Sequence, residues 1–193
     1  MLIERVTGQR YEDALKKLLL DPLKMSHSTF HFIFQNTDDT KYSLAHGHLD
    51  KQRLIVSQAS FLRAAGQFTT TPADMQKFMV FLMSDGFVGG EQLVSTDLLN
   101  SMGVAAATLS QKAGLLAGGQ FGLWRRDRHD VIGKCQGGNT IGYNSMLCLF
   151  PTQNKAFFVA INSDSETADY EQVYKLFIAV SYTHLTLPTT PYV

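Results

Sequence analysis

The side chains of this 193-residue chain that could do chemistry are its serines, lysines, tyrosines, histidines and two cysteines, and spacing decides what each can do. A serine nucleophile for acyl transfer can give its proton to a lysine one helical turn away, in a Ser-x-x-Lys arrangement. No Ser-x-x-Lys occurs, and Ser110-Gln111-Lys112 has the wrong spacing in a loop-like stretch. A Tyr-x-Asn could relay that proton through a phenol. Here Tyr143 and Asn144 are adjacent instead, so on a strand their side chains point to opposite faces. His46-Gly47-His48 offers two imidazoles without an evident third ligand and reads as a loop pair, and His129 falls in a turn-like run. Cys135 and Cys148 fit no metal pattern, and two thiols do not fix a redox compartment. No metal or cofactor is expected.

Composition narrows the partners. Hydrophobic residues make up 45% and charged residues 18%, which suits a globular domain with a real core. Seventeen basic residues balance 17 acidic ones, so nothing favours nucleic acid or an anionic membrane surface. No apolar run approaches the roughly 20 residues of a membrane span. Met1 leads directly into a polar, helix-like stretch, with no visible signal peptide.

The elements that would position these groups change character along the chain. Leu2 to Val6 reads as a helix end stopped at Gly8. Tyr11 to Leu20 puts Tyr11, Ala14, Leu15, Leu18 and Leu19 on one helical stripe, with Pro22 closing it. Residues 26–57 read as loop with short strands. Thr71-Pro72-Ala73-Asp74 is a helix start, with Met75, Phe78, Met79 and Leu82 as its buried stripe and Gly86 after it. Ser95-Thr96-Asp97 caps a short helix through Met102, and residues 103–119 read as a surface loop. Strand-like runs follow at 121–126, 131–136, 143–150 and 155–161, with turns at 127–130 and 151–154. Ser165 and Glu166 precede a helix carrying Tyr170, Val173, Tyr174 and Phe177 on its apolar side. The expected fold class is α+β, a helical region followed by an antiparallel sheet and a covering helix. The expected organisation is one partial domain over 1–179, with helices and loops to 119, strands over 120–162 and a helix over 164–179. The run from Val180 to Thr190 resembles a translated transposase sequencing adapter, so residues 180–193 are expected to be a non-native tail.

Read together, several segments resemble the serine β-lactamase-related family, which includes class C β-lactamases, D,D-peptidases and esterases. Asp21 to Phe30 resembles its P-L-G-M-x-x-T-x-F run, with Lys24 in place of a usual glycine. Ala64 to Met75 resembles A-G-G-x-x-S-T-A-x-D-M, and Phe121-Gly122-Leu123-Trp124 resembles Y-G-L-G-W. Cys135 to Tyr143 resembles H-x-G-x-x-x-G-(F/Y), and Phe157 to Asn162 resembles the strand after it. The resemblance runs in order over about residues 1–179.

That resemblance implies a partial β-lactamase/transpeptidase-like fold and an acyl-serine hydrolase acting on amide or ester bonds of a small-molecule or peptide substrate. It also implies an extracytoplasmic, often periplasmic, setting. In the family the Ser-x-x-Lys and Tyr-x-Asn motifs lie upstream of the segment resembling Leu2 to Phe30, so this chain is expected to be an inactive C-terminal fragment. A non-catalytic binding member of the same family is the alternative. By resemblance the surviving site is Gln136, Gly137, Gly138 and Asn139, the strand facing the substrate. Gly138 keeps side-chain bulk off that strand. The Asn139 amide is one implied oxyanion donor. Gln136 departs from the usual His or Lys, because a carboxamide can hydrogen-bond but cannot carry positive charge. Lys134 faces the same way two residues earlier and is expected to be a solvated lysine. Trp124 is expected in the core behind the sheet, and the apolar run Phe30 to Phe34 in the core or the cleft wall.

Overall fold

The computed structural model describes residues 1–33, 44–50, 53–56, 59, 62–104, 109, 118–126, 132–164 and 169–182. Ser110, Lys112, His129, Phe34 and the tail beyond Tyr182 lie outside the described residues.

The helical half begins with α1 (Leu2–Thr7), which ends on Gly8 at φ 66°, the left-handed conformation glycine tolerates. Helix α2 (Tyr11–Leu15) then passes into a π turn over Lys16–Leu20. This turn corrects the stripe expected from regular helical spacing. The wider i→i+5 pattern, with Asp21 donating to the Lys16 carbonyl at 2.9 Å, turns Leu18 out to 51% exposure and brings Leu20 into the core. Glu12, 1% exposed, is held by both carboxylate oxygens on Arg63 of α3 (Arg63–Gly66), which also bonds Glu4 of α1.

Helix α4 (Pro72–Leu82) starts as its sequence dictates. The Thr71 side chain accepts from the Asp74 amide, and proline occupies the first turn. Asp74 is buried and does more than complement the helix end. It accepts from the His27 amide at 2.8 Å, the Ser28 hydroxyl at 2.9 Å and Lys77 Nζ at 2.6 Å. An antiparallel bridge between Thr29 and Thr69, and a bond from Gln67 Nε2 to the Phe30 carbonyl, lie beside it. The 21–30 turn and the approach to α4 are thus one unit. Phe30 stacks on Phe68 at 4.5 Å, which settles it as core packing. A short hairpin, β3 (Phe87–Val88) and β4 (Glu91–Gln92), leads to α5 (Thr96–Ser101), capped by Ser95.

The second half is a five-stranded antiparallel meander in chain order: β5 (Gly118–Gln120), β6 (Leu123–Arg126), β7 (Gly133–Thr140), β8 (Tyr143–Phe150) and β9 (Lys155–Ile161). The loop expected to 119 already contains β5. A small second sheet pairs β1 (Gly47–Leu49) with β2 (Leu54–Ile55) and with β10 (Ser163–Asp164). Helix α6 (Tyr170–Tyr182) covers one face of the meander. Under it lie Cys135, Met146, Cys148, Phe150 and Phe157 with Tyr174 and Ile178. The opposite face takes α4, with Met75 against Leu123, Leu147 and Leu149. Trp124 is 56% exposed, which corrects its expected place in the core: it sits on β6, beyond the part of the face that α6 covers. Among the described residues no helix is long and apolar enough to cross a membrane.

Burial pushes the Asp74 carboxyl up, but Lys77, Ser28 and the His27 amide outweigh it and hold it below its ordinary value. A depressed acid stabilises the fold above its unfolded pKa and loses that contribution as pH falls through the folded value. D74N should therefore cost about 1–3 kcal/mol at neutral pH. In urea unfolding, the gap to the unsubstituted chain should close as pH drops below about 4.

Candidate functional site

Strand β7 is built to leave part of itself uncovered. Cys135 lies directly opposite Cys148 on β8, with a Cα–Cα distance of 4.1 Å, and the two form a disulfide. Such a short separation marks a non-hydrogen-bonded pair of an antiparallel ladder. The two-residue turn Ile141-Gly142 agrees, since it closes on the pair Thr140 and Tyr143. Alternation then follows. Lys134, Gln136, Gly138 and Thr140 bond to β8, whereas Gly137 and Asn139 aim their N–H and C=O groups at the other edge. On that edge β6 pairs only with Gly133, Lys134 and Cys135. Among the described residues, the main-chain groups of Gly137 and Asn139 therefore face an open edge.

The two faces of β7 carry different chemistry. On the α6 side, Asn139 Nδ2 donates to Asn144 Oδ1 at 2.8 Å, and Asn144 Nδ2 donates to the Ser163 carbonyl at 2.9 Å. Asn144 is buried, so this chain of amides is a clasp joining β7, β8 and β10. The Asn139 side chain is thus structural, and only its main-chain amide is available to the edge. On the other face lie Gln136 and Gly138, with Ser145 and Leu147 opposite them on β8. Gln136 is exposed, and its Nε2 donates to the Gly137 carbonyl at 3.0 Å. A Cβ at Gly138 would lie 2.8 Å from Ser145 Oγ. The glycine therefore leaves space that the Ser145 hydroxyl already borders, as well as keeping the strand clear.

Lys134 does not supply the missing charge. Its ammonium donates to the Asn100 carbonyl at the end of α5, 3.0 Å away, and its stem lies against Gly103. Burial lowers its pKa. It is neither the solvated lysine expected from sequence nor a cation of the cleft rim. It lines a cavity of about 300 Å³ between α4, α5 and the start of β7.

The remaining candidates have structural places. The strand containing Gly47 and His48 runs against the end of β8, where a Cβ at Gly47 would lie 2.8 Å from the Tyr143 ring. No group of three metal-ligating side chains occurs among the described residues. Tyr143 and Asn144 point to opposite faces, and the Tyr143 hydroxyl donates to the Ala45 carbonyl at 2.9 Å. What sequence reasoning missed is the disulfide and the Asn139–Asn144 clasp. Both were readable once the Ile141-Gly142 turn set the register, because that turn alone puts 135 opposite 148 and 139 opposite 144.

Comparison with known proteins shows the family and the fold. A family model described as Beta-lactamase matches residues 1–179. The chain belongs to the beta-lactamase family. It is 22% identical over 179 residues to "Beta-lactamase-like protein 1" of Dictyostelium discoideum, covering 83% of this chain and 28% of that protein. Among solved structures, it resembles a D-amino acid amidase from Ochrobactrum anthropi SV3, with TM-score 0.67 and 22% identity, over 93% of this chain and 53% of that one. A D-stereospecific amidohydrolase from Streptomyces sp. gives TM-score 0.70 at 19% identity, over 93% and 50% of the two chains. A penicillin-binding protein from Bacillus halodurans gives 0.62 at 16%, over 92% and 50%. This beta-lactamase-family chain thus spans about half the length of those solved relatives. Its helices and antiparallel sheet form a partial β-lactamase/transpeptidase-like fold.

The clasp carries a prediction. N144A removes a buried amide from two partners and leaves the Ser163 carbonyl with the Tyr170 hydroxyl alone of its two side-chain donors, which should cost about 1–3 kcal/mol. Denaturant unfolding should show a lower midpoint with an unchanged slope, since the exposed surface is the same.

Proposed function

We propose that this chain forms one wall of the cleft of an acyl-serine hydrolase that acts on amide or ester bonds. The observation that carries the proposal is the open edge of β7, where Gly138 keeps the strand clear and the Asn139 N–H points outward. An extended substrate can lie along such an edge and hydrogen-bond to its main chain. A carbonyl placed there meets the Asn139 amide, which stabilises the negative charge that develops on oxygen during attack. One such donor is typically worth about 2.7–4 kcal/mol. Family membership supports the hydrolase reading, and the solved amidase and amidohydrolase relatives support amide bonds as targets.

On this proposal the nucleophile and its proton relay come from sequence outside these residues, since neither Ser-x-x-Lys nor Tyr-x-Asn occurs in the chain. Assays with nitrocefin and with a p-nitrophenyl ester should show no turnover above buffer for these 193 residues. Turnover above buffer that co-purifies with the chain would place the nucleophile inside it and overturn the proposal. Upstream in-frame sequence provides a second check. Both motifs there support the enzyme, and their absence favours a binding protein of the same family.

A further inference from the structure

The exposed face of β7 and β8 presents hydrogen-bonding groups without a charge. Gln136 offers a carboxamide, Gly138 offers room, and Ser145 offers a hydroxyl from the neighbouring strand, half-buried beside that room. No hydrogen bond from Ser145 Oγ occurs among the described residues. The nearest cation on the strand, Lys134, sits two pairs beyond Gln136 on the side away from Gly138, and its ammonium is spent on the Asn100 carbonyl. Gly103, at φ 74°, makes this engagement fit, since a Cβ there would meet the lysine stem at 3.0 Å. The lysine is therefore held away from the open part of the strand by the helical half.

A substrate carboxylate set against this face would be desolvated without gaining an ionic partner from the described side chains of β7 or β8, which is costly. A neutral amide or ester carbonyl would lose only ordinary hydrogen bonds to water, and Gln136 and Ser145 can replace them. From Gln136, Gly138 and Ser145 we infer that this wall selects substrates whose group beside the scissile carbonyl is an uncharged amide or ester, and that Ser145 is a substrate-binding residue. The inference rests on the cleft-wall reading above and specifies its substrate class.

A matched pair of probes tests it. N-acetylphenylalanine amide and N-acetylphenylalanine differ only in carrying a carboxamide or a carboxylate. In titrations of the full chain followed by backbone amide NMR, residues 136–140 and 145 should respond to the neutral probe at concentrations about tenfold lower than to the carboxylate. Q136K should reverse that preference by about the same factor, because a charge-assisted bond then becomes available. S145A should weaken the neutral probe while the thermal midpoint stays unchanged. Preference of the unsubstituted chain for the carboxylate, or a Q136K variant with unaltered preference, overturns the inference and leaves the cleft wall standing. Silence of residues 136–140 towards both probes overturns the cleft-wall reading itself, and this inference with it.

Discussion

The antiparallel register between β7 and β8 is the constraint on which the rest of the structure depends. Seven directly opposed pairs, from Lys134 and Leu149 to Thr140 and Tyr143, fix which atoms face where. A slip of one residue would exchange the two faces of the strand. Cys135 would leave Cys148, Asn139 would leave Asn144, and Gln136 and Gly138 would turn towards α6. Three devices oppose that slip. The disulfide ties the strands at one end, the amide clasp ties them at the other, and Gly142 at φ 84° closes the turn, where a Cβ would lie 3.0 Å from Gly47 Cα. The proposed site is a consequence of this register rather than an addition to it.

A second constraint determines how much of the strand stays open. Helix α4 lays Met75, Phe78 and Met79 over Leu147 and Leu149, while further along the same face Gly138 is exposed and Ser145 half-buried. Its position is set by the buried Asp74, which fastens the start of α4 to the 21–30 turn. That turn is in turn packed with Leu20, Phe81 and Leu99, so the π turn, α4 and α5 form one body. The lysine that could have charged the wall is captured by the same body, at the end of α5. Fold and electrostatics are therefore coupled: the packing that leaves the upper strand bare also leaves it neutral.

Much of this was legible in the residues, and the exceptions have physical causes. The caps at Thr71 and Ser95, the glycine stop at Gly8 and the strands 143–150 and 155–161 follow from local chemistry, and the structure has them. The stripe at Leu18 failed because a π turn breaks the regular period, and no residue type announces one. Strand β7 runs on to Thr140, past the glycines that weaken a strand when read alone, because pairing with β8 over its whole length outweighs their propensity. Trp124 was expected inside on the strength of its size, yet its cover is a matter of where α6 lies. For the site, spacing pointed to residues 136–139 through resemblance to the family. It could not show that Asn139 divides its roles, with a side chain in the clasp and an amide at the edge, since that division depends on register.

Amide hydrogen exchange along β7, read residue by residue, tests that division most directly. The account predicts alternation: slow exchange at Gln136, Gly138 and Thr140, whose N–H groups bond to β8, and fast exchange at Gly137 and Asn139, whose N–H groups face the open edge. Protection of Asn139 together with fast exchange at Gly138 would mean that the register, and the open wall built on it, is wrong.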